Sequence, residues 1–277
     1  MSLYENYRKT SINYDKTRVP IGLEIILGCF AKSGKPLNEM IVLDAGCGTG
    51  SYSHALHEYV RRIEAIDINP AMVEIASRKL KRHREEGRIT FSQASIDALV
   101  FTSRMFDAIM INQVLHHIDN PNDQGYPTHH RMLREFHRVL RPKGILVINT
   151  CSHEQLRHGF WYYRLIPEAF GEIIRRYMPI DQLIEMLFEY GFTYRGSFVP
   201  LHDVLQGEAY FDPYGPLKKQ WRDGDSVFAL VTPNQLYRAC ERIRDMDSRG
   251  TLLSFVKEHD SQRKVTGQAT FLLAVRE

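Results

Sequence analysis

Val42-Leu43-Asp44-Ala45-Gly46-Cys47-Gly48-Thr49-Gly50 is an apolar run that closes on an aspartate and then on three glycines at alternate positions. With Ile41 it forms a β-branched, uncharged stretch that suits a strand buried on both faces of a parallel sheet, where a half-buried strand would alternate. Glycine has no Cβ, so the turn lets the backbone approach a ligand closely. The N–H groups of the turn and of the following helix are expected to face a carboxylate or phosphate. Two familiar nucleotide loops fail on spacing. A dinucleotide fingerprint starting at Gly46 needs glycine or alanine where Ser51 stands. A Walker loop around Gly34-Lys35 needs glycine at Cys29 and serine or threonine at Pro36.

Runs of the same apolar type recur at Ile63 to Ile66, Ile89 to Phe91, Phe106 to Ile111 and Ile145 to Ile148, with helical stretches between most of them. Alternating β and α predicts a doubly wound parallel α/β sheet. Asn69 is placed to cap a helix whose first turn holds Pro70 and whose buried stripe is Met72, Val73, Ile75, Ala76 and Leu80. Thr232-Pro233 repeats that signal for a helix to about Arg244, with Gly250 beyond it, and Gly191 ends a helix over Asp181 to Tyr190. Strands are expected at Thr193 to Val199 and Ala269 to Val275. The 200–267 segment between them is too long for a plain loop. Its Phe211, Trp221 and Phe228 suggest a structured insertion over the sheet's working edge, joined by the aromatic stretch Phe160 to Tyr177. Trp161, Tyr162 and Tyr163 are expected in the core of this cap rather than as a substrate cage.

Composition narrows the class. At 277 residues, 43% hydrophobic and 25% charged, the chain is ordered and globular in balance, long enough for one large domain or a core plus an accessory unit. Cys29, Cys47, Cys151 and Cys240 are widely separated and include no C-x-x-C pair, which suits a reducing compartment and indicates no zinc knuckle, disulfide framework or other metal cluster. Met1 to Lys16 has no apolar export core, and Ile21 to Phe30 is too short to span a bilayer. A soluble cytoplasmic protein, monomeric or homodimeric, is expected. The formal charge is only +3, and the basic run Arg78 to Arg84 leads at once into Glu85 and Glu86, so a solvated helix face is expected there rather than a nucleic-acid patch.

Leu43 to Gly50 resembles the first motif of the class I S-adenosylmethionine-dependent methyltransferases, and the resemblance extends over most of residues 38 to 150. It implies a seven-stranded Rossmann-like sheet of order 3-2-1-4-5-7-6 with the last strand antiparallel. It also divides the chain into an N-terminal helical cover (1–37), a cofactor-binding core (38–199 plus 268–277) and a substrate cap (200–267, with about 153–178). The cofactor implied is S-adenosylmethionine. Asp67 stands where the family's acid accepts from both ribose hydroxyls, followed by Ile68, Asn69 and Pro70. Phe91-Ser92-Gln93-Ala94-Ser95-Ile96 departs from the pattern, with Ser95 in place of the aspartate that meets the adenine amino group, which shifts that task to the Ser95 hydroxyl or the Ile96 backbone. Asp44, Gly46, Cys47, Gly48, Gly50, Asn112 and Gln113 complete the cofactor set. Tyr14 and Arg18 are similar to an N-terminal element that covers the cofactor in relatives, the other reading being a solvated turn.

Asn112-Gln113-Val114-Leu115-His116-His117, Glu135 and Arg138 to Gly144 resemble the ubiquinone- and menaquinone-type small-molecule branch, with lysine at Lys143 for one glycine. The proline tetrad of amino-directed nucleic-acid methylases, the paired cysteines of cytosine-C5 enzymes and the thiol cluster of arsenite methyltransferases are not recognisable. The resemblance thus implies methyl transfer to an O, N, S or C atom of a small molecule, with RNA methylation and a non-catalytic cofactor-binding module as rivals. His116 and His117 are candidate proton acceptors, since imidazole is a base near neutral pH, and both also suit packing or loop-capping. On a helical turn their side chains diverge by ~100°, so at most one is expected to face the methyl. His116 is the freer candidate, with Tyr14 as a further catalytic possibility.

Overall fold

The computed structural model describes residues 17–120, 123 and 125–277. Its sheet comprises β1 (Ile41–Ala45), β2 (Arg62–Asp67), β3 (Ile89–Gln93), β4 (Phe106–Asn112), β5 (Leu140–Thr150), β6 (Phe192–Phe198) and β7 (Thr270–Arg276). The strand order is β3-β2-β1-β4-β5-β7-β6. β1 to β5 pair in parallel, and β7 runs antiparallel to both β5 and β6. This is the arrangement expected, with most strand ends displaced by a residue or two and β5 beginning at Leu140, well before the expected Ile145.

Before β1 comes α1 (Leu23–Ala31), and α2 (Ser51–Leu56) joins β1 to β2. Between β2 and β3 lie α3 (Pro70–Lys79) and α4 (Lys81–Glu85), and α5 (Pro127–Val139) precedes β5. Asn69 accepts from Ala71 N at 3.0 Å and so caps α3 as its sequence predicts. No helix links β3 to β4 among the described residues. That loop is instead clamped to α5: Glu135 Oε2 accepts from Leu99 N, while Arg138 donates to the carbonyls of Leu99 and Phe101 and pairs with Glu135.

The strands are buried on both faces, because alternate residues feed two apolar layers. Val42, Ile63, Ala65, Ala108, Met110 and Val147 face one; Leu43, Ile66, Ile109, Ile111, Leu146 and Ile148 face the other. The second layer is closed by Leu133 and Phe136 of α5 and by Leu183 and Leu187 of α8 (Ile180–Glu189), which follows α6 (His153–His158) and α7 (Pro167–Ile174). Each such side chain contributes roughly 1.5–3 kcal/mol when fully buried. Gly191, at φ +74°, ends α8 as its sequence predicts.

Between β6 and β7 lie α9 (Lys219–Arg222), α10 (Pro233–Ser248), α11 (Leu252–Asp260) and α12 (Arg263–Thr266). Thr232 forms a capping box with Gln235, and α10 outlasts the expected Arg244 because Arg244–Glu241 and Arg249–Asp245 pair along it until Gly250. Tyr210 and Trp221 of this segment pack with Trp161 and Tyr162 in the same apolar layer as Val42. Trp161 Nε1 donates to Tyr210 O at 3.0 Å, and Tyr210 Oη to Asp260 Oδ1 at 2.6 Å. The insertion therefore shares the sheet's core.

Lys143 has φ +63° and an exposed side chain. A Cβ makes that conformation unfavourable by roughly 1–2 kcal/mol. Lys143→Gly is therefore expected to raise stability by about 0.5–1 kcal/mol after the entropy of the unfolded glycine is subtracted, checked by urea unfolding.

Candidate active site

A crevice opens at the carboxyl ends of β1 and β4, where ligands of such sheets bind. Of the residues singled out from the sequence, Arg18, Asp44, Gly46, Cys47, Gly48, Asn112 and Gln113 line it. Val19, Tyr52 and Leu205 line it as well, and no sequence signal pointed to them. Asp67 joins at one remove: its Oδ2 accepts from Gly48 N at 2.9 Å and its Oδ1 from Asn69 N at 2.8 Å.

At four of its residues the turn corrects the expectation that its N–H groups await an anion. Gly46 N and Cys47 N both donate to Ile66 O at 2.8 Å, Gly48 N donates to Asp67, and Gly50 N donates to Cys47 O at 2.9 Å. The three glycines also differ in purpose. A Cβ on Gly46 would lie 2.6 Å from Val114 Cγ2, and one on Gly50 would press on Phe91, Ala76 and Leu80 at 3.1–3.2 Å. Only Gly48 has open space before it, so only there does the missing Cβ leave room for a ligand.

With those four amides satisfied, the floor of the crevice is acidic. Asp44 is fully buried, accepts from Ser53 Oγ at 2.6 Å, and has its carboxyl raised to about 7, chiefly by burial and further by Asp67. Burial raises Asp67 too, against the two N–H bonds that favour its charge. Such a floor repels phosphate and attracts a cation. Folded Asp44 holds its proton above the unfolded value of 3.8, so ionising it destabilises the fold progressively up to about pH 7. Asp44→Asn is accordingly expected to gain on the native protein as pH rises from 4.5 to 7.5, by as much as about 3 kcal/mol. Urea midpoints of the two ligand-free proteins check this, and a difference that shrinks with pH would contradict it.

At the end of β4 the chain turns sharply. Gln113 adopts φ +54°, a costly conformation for a residue with a Cβ. It sends Nε2 to Asn149 Oδ1 at 2.9 Å, and Asn149 Nδ2 reaches Tyr52 Oη at 3.0 Å. Tyr177 Oη and Cys151 Sγ each stand 3.5 Å from Gln113 Oε1. Both polar atoms of the Asn112 side chain are buried and lack a hydrogen-bond partner among the described residues. Orphaned amide atoms at a crevice wall are a reason to look for a ligand.

Leu115–His117 form a 3-10 turn, and the histidines do not diverge as expected. Their ring centroids are 4.0 Å apart, and Tyr177 stacks on His116 at 4.3 Å and 12°. His116 is 4% exposed and is not the freer ring. Burial, then neighbouring cationic and imidazole groups, holds both imidazoles neutral: His116 falls well below its ordinary range and His117 to about 3. Ser95 Oγ donates to Asp97, itself held by Arg131, and the Ile96 side chain is buried in the second apolar layer. Ile68 is 40% exposed beside Asp67, and Gly50 stays out of the crevice as a packing residue. Tyr14 lies outside the described residues. Arg18 donates from Nε to Gly224 O and lies 3.9 Å from Asp225, which ties the crevice rim to the insertion.

Among the described residues, no group of His, Cys, Asp or Glu is arranged to hold a metal ion, and no helix is long and apolar enough to cross a membrane. Residues 43–148 match the family described as "Methyltransferase domain". The chain is 32% identical over 190 residues to a demethylmenaquinone methyltransferase of Tropheryma whipplei, covering 60% of this chain and 74% of the relative. A second demethylmenaquinone methyltransferase, from Lactococcus lactis, is 30% identical, with 65% and 72% covered. Among solved structures, a methyltransferase described as from an antibiotic biosynthesis pathway of Anabaena variabilis superposes with a TM-score of 0.71 at 20% identity, covering 93% of this chain and 98% of that one. A (4+2)-cyclase superposes with a TM-score of 0.53 at 19% identity, covering 92% and 80%, so the fold alone does not decide the chemistry.

Proposed function

The chain belongs to the class I S-adenosylmethionine-dependent methyltransferases of the ubiquinone- and menaquinone-type branch, and from that premise we propose how its crevice holds the methyl donor and admits a small acceptor. The observation that carries the reading is the acidic floor beside Gly48, where the Gly46, Cys47 and Gly48 amides already have acceptors. It suits a ligand bearing an ammonium and a sulfonium and disfavours nucleotide phosphates. The amino-acid end is placed over Gly46 to Gly48 toward Asp44, with Arg18 at the rim for its carboxylate. The ribose is placed on Asp67, and the adenine between Ile68 and the Ser95–Ile96 loop. The orphaned Asn112 amide is the further partner on the β4 side. The bound donor supplies an activated methyl group. The protein's share is alignment and the exclusion of water.

Residues 153–178 and 200–267 form the acceptor side in this proposal, supported by Leu205 at the crevice wall and Tyr177 on His116. The neutral histidines act there as a fixed wall and hydrogen-bonding edge. The accepting atom is not assigned, and the named substrates of the relatives make quinol-like rings the first acceptors to try. RNA finds little support. Within the basic run at α3 and α4, Arg78, Lys81 and Arg82 pair with Glu74, Glu85 and Glu86.

Calorimetry tests the cofactor reading directly. S-adenosylmethionine and S-adenosylhomocysteine are expected to bind, and ATP and NAD to leave the baseline unchanged. Binding of ATP in preference to S-adenosylmethionine would sink it.

A further inference from the structure

Tyr52 stands in the first turn of α2, lines the crevice and packs against the same apolar layer as Val42. Its hydroxyl joins two sides of that crevice. On one side is the stretch Arg18 to Gly22, whose first three residues line the crevice. Ile21 N donates to Tyr52 Oη at 3.2 Å, and Tyr52 Oη donates to Ile21 O at 3.2 Å. The stretch is also held to the insertion, by Val19 N on Leu205 O at 3.1 Å and by Gly22 N on Asp203 Oδ2 at 3.0 Å. On the other side is the Asn112–Gln113 turn, which Asn149 grips twice. Gln113 N donates to Asn149 O at 2.8 Å, and Gln113 Nε2 to Asn149 Oδ1 at 2.9 Å. Asn149 is fully buried, stands outside the crevice lining, and reaches Tyr52 Oη with Nδ2 at 3.0 Å.

The sense of these bonds is decided at Tyr52, because a phenol has one proton to give. Ile21 O takes it, so the hydroxyl meets Asn149 only as an acceptor. Asn149 must then turn Nδ2 to Tyr52 and Oδ1 to Gln113. Gln113 in turn gives Nε2 to Asn149 and keeps Oε1 for the Tyr177 hydroxyl and the Cys151 thiol, each 3.5 Å away. An amide that could otherwise flip end for end is thereby fixed in one orientation, beside a backbone at φ +54°.

We propose that Tyr52 is a positioning residue for the methyl donor. Its hydroxyl pins the Arg18–Pro20 side of the crevice to the Asn112–Gln113 side. By setting the orientation of the Asn149 amide, it also holds the turn at Gln113 in the shape that receives the donor's amino-acid end. This rests on the cofactor placement proposed above and adds a residue that acts through others and touches no reacting atom.

The test compares S-adenosylhomocysteine with methylthioadenosine, which keeps the adenine, the ribose and a thioether sulfur but lacks the amino-acid end. Tyr52→Phe preserves the ring and deletes the hydroxyl. Calorimetry on the folded variant is expected to find S-adenosylhomocysteine bound about tenfold more weakly and methylthioadenosine changed by less than about twofold, since the broken hydrogen bonds lie at one end of the ligand. A general loosening of the fold would weaken both ligands alike. Asn149→Ala breaks the same junction from outside the crevice lining and should reproduce the selective loss. The double variant should bind S-adenosylhomocysteine no more weakly than Tyr52→Phe alone. That cycle uses S-adenosylhomocysteine only, and it decides the point where methylthioadenosine binds too weakly to measure. Should Tyr52→Phe fail to fold, Asn149→Ala carries the ligand comparison by the same criteria. Equal weakening of both ligands, unchanged affinity for S-adenosylhomocysteine, or additive losses in the double variant overturns the proposal and leaves the methyltransferase reading standing. Failure of S-adenosylhomocysteine to bind the native protein overturns the cofactor placement along with it.

Discussion

Asp67→Ala is expected to weaken S-adenosylmethionine binding by roughly 30- to 1000-fold, about 2–4 kcal/mol, in a protein that remains folded. An ionised carboxylate offers about four acceptor positions. In the ligand-free protein Asp67 uses two, one for Gly48 N and one for Asn69 N, so two remain for a pair of neighbouring hydroxyls. Alanine removes those and also frees the Gly48 amide, loosening the one glycine of the turn that faces open space. Asp67→Asn keeps a carbonyl oxygen but turns the other acceptor into a donor, and should fall between the two. Calorimetry on both variants decides, since affinity unchanged in Asp67→Ala would move the ribose elsewhere.

What the sequence revealed follows from the range of the interactions concerned. The strand, the glycine turn, Asp67 and the caps at Asn69 and Thr232 are set by residues within a few positions of one another, and all appear where their spacing placed them. The floor's hydrogen bonding was not legible, because Ile66 O reaches Gly46 and Cys47 only once β1 and β2 are paired. Nor was the Tyr52–Asn149–Gln113–Tyr177 chain. It depends on Asn149 standing opposite Asn112 in the sheet register, and its ends come from α2 and from the stretch before α8. The mutual placement of the histidines was misjudged for the same reason: a ring contributed 61 positions after His116 stacks on it, which no local helical angle foretells. Tyr210 and Trp221 bury against Trp161 and Tyr162, so the two stretches expected to join as a cap do pack together, and the same apolar layer runs on to Val42 of the sheet, a continuity no local pattern announces.

Gly46 carries the second large effect. Gly46→Ala should destabilise the protein by roughly 2–5 kcal/mol, the sum of two separable costs. The first is a φ of +78°, unfavourable by about 1–2 kcal/mol for alanine. The second is overpacking, typically about 1–3 kcal/mol, because the added Cβ would stand 2.6 Å from Val114 Cγ2. Val114 directly follows Gln113 in the turn that shapes the crevice wall, so the clash should also displace Asn112 and Gln113 and weaken cofactor binding. Val114→Ala removes the obstructing methyls and leaves the backbone cost in place. The double variant should therefore recover about 1–3 kcal/mol relative to the sum of the singles, together with part of the lost affinity. Urea unfolding of the four proteins in the cycle measures that coupling. A strictly additive result would mean that Val114 does not impose the glycine, and that backbone conformation alone requires it.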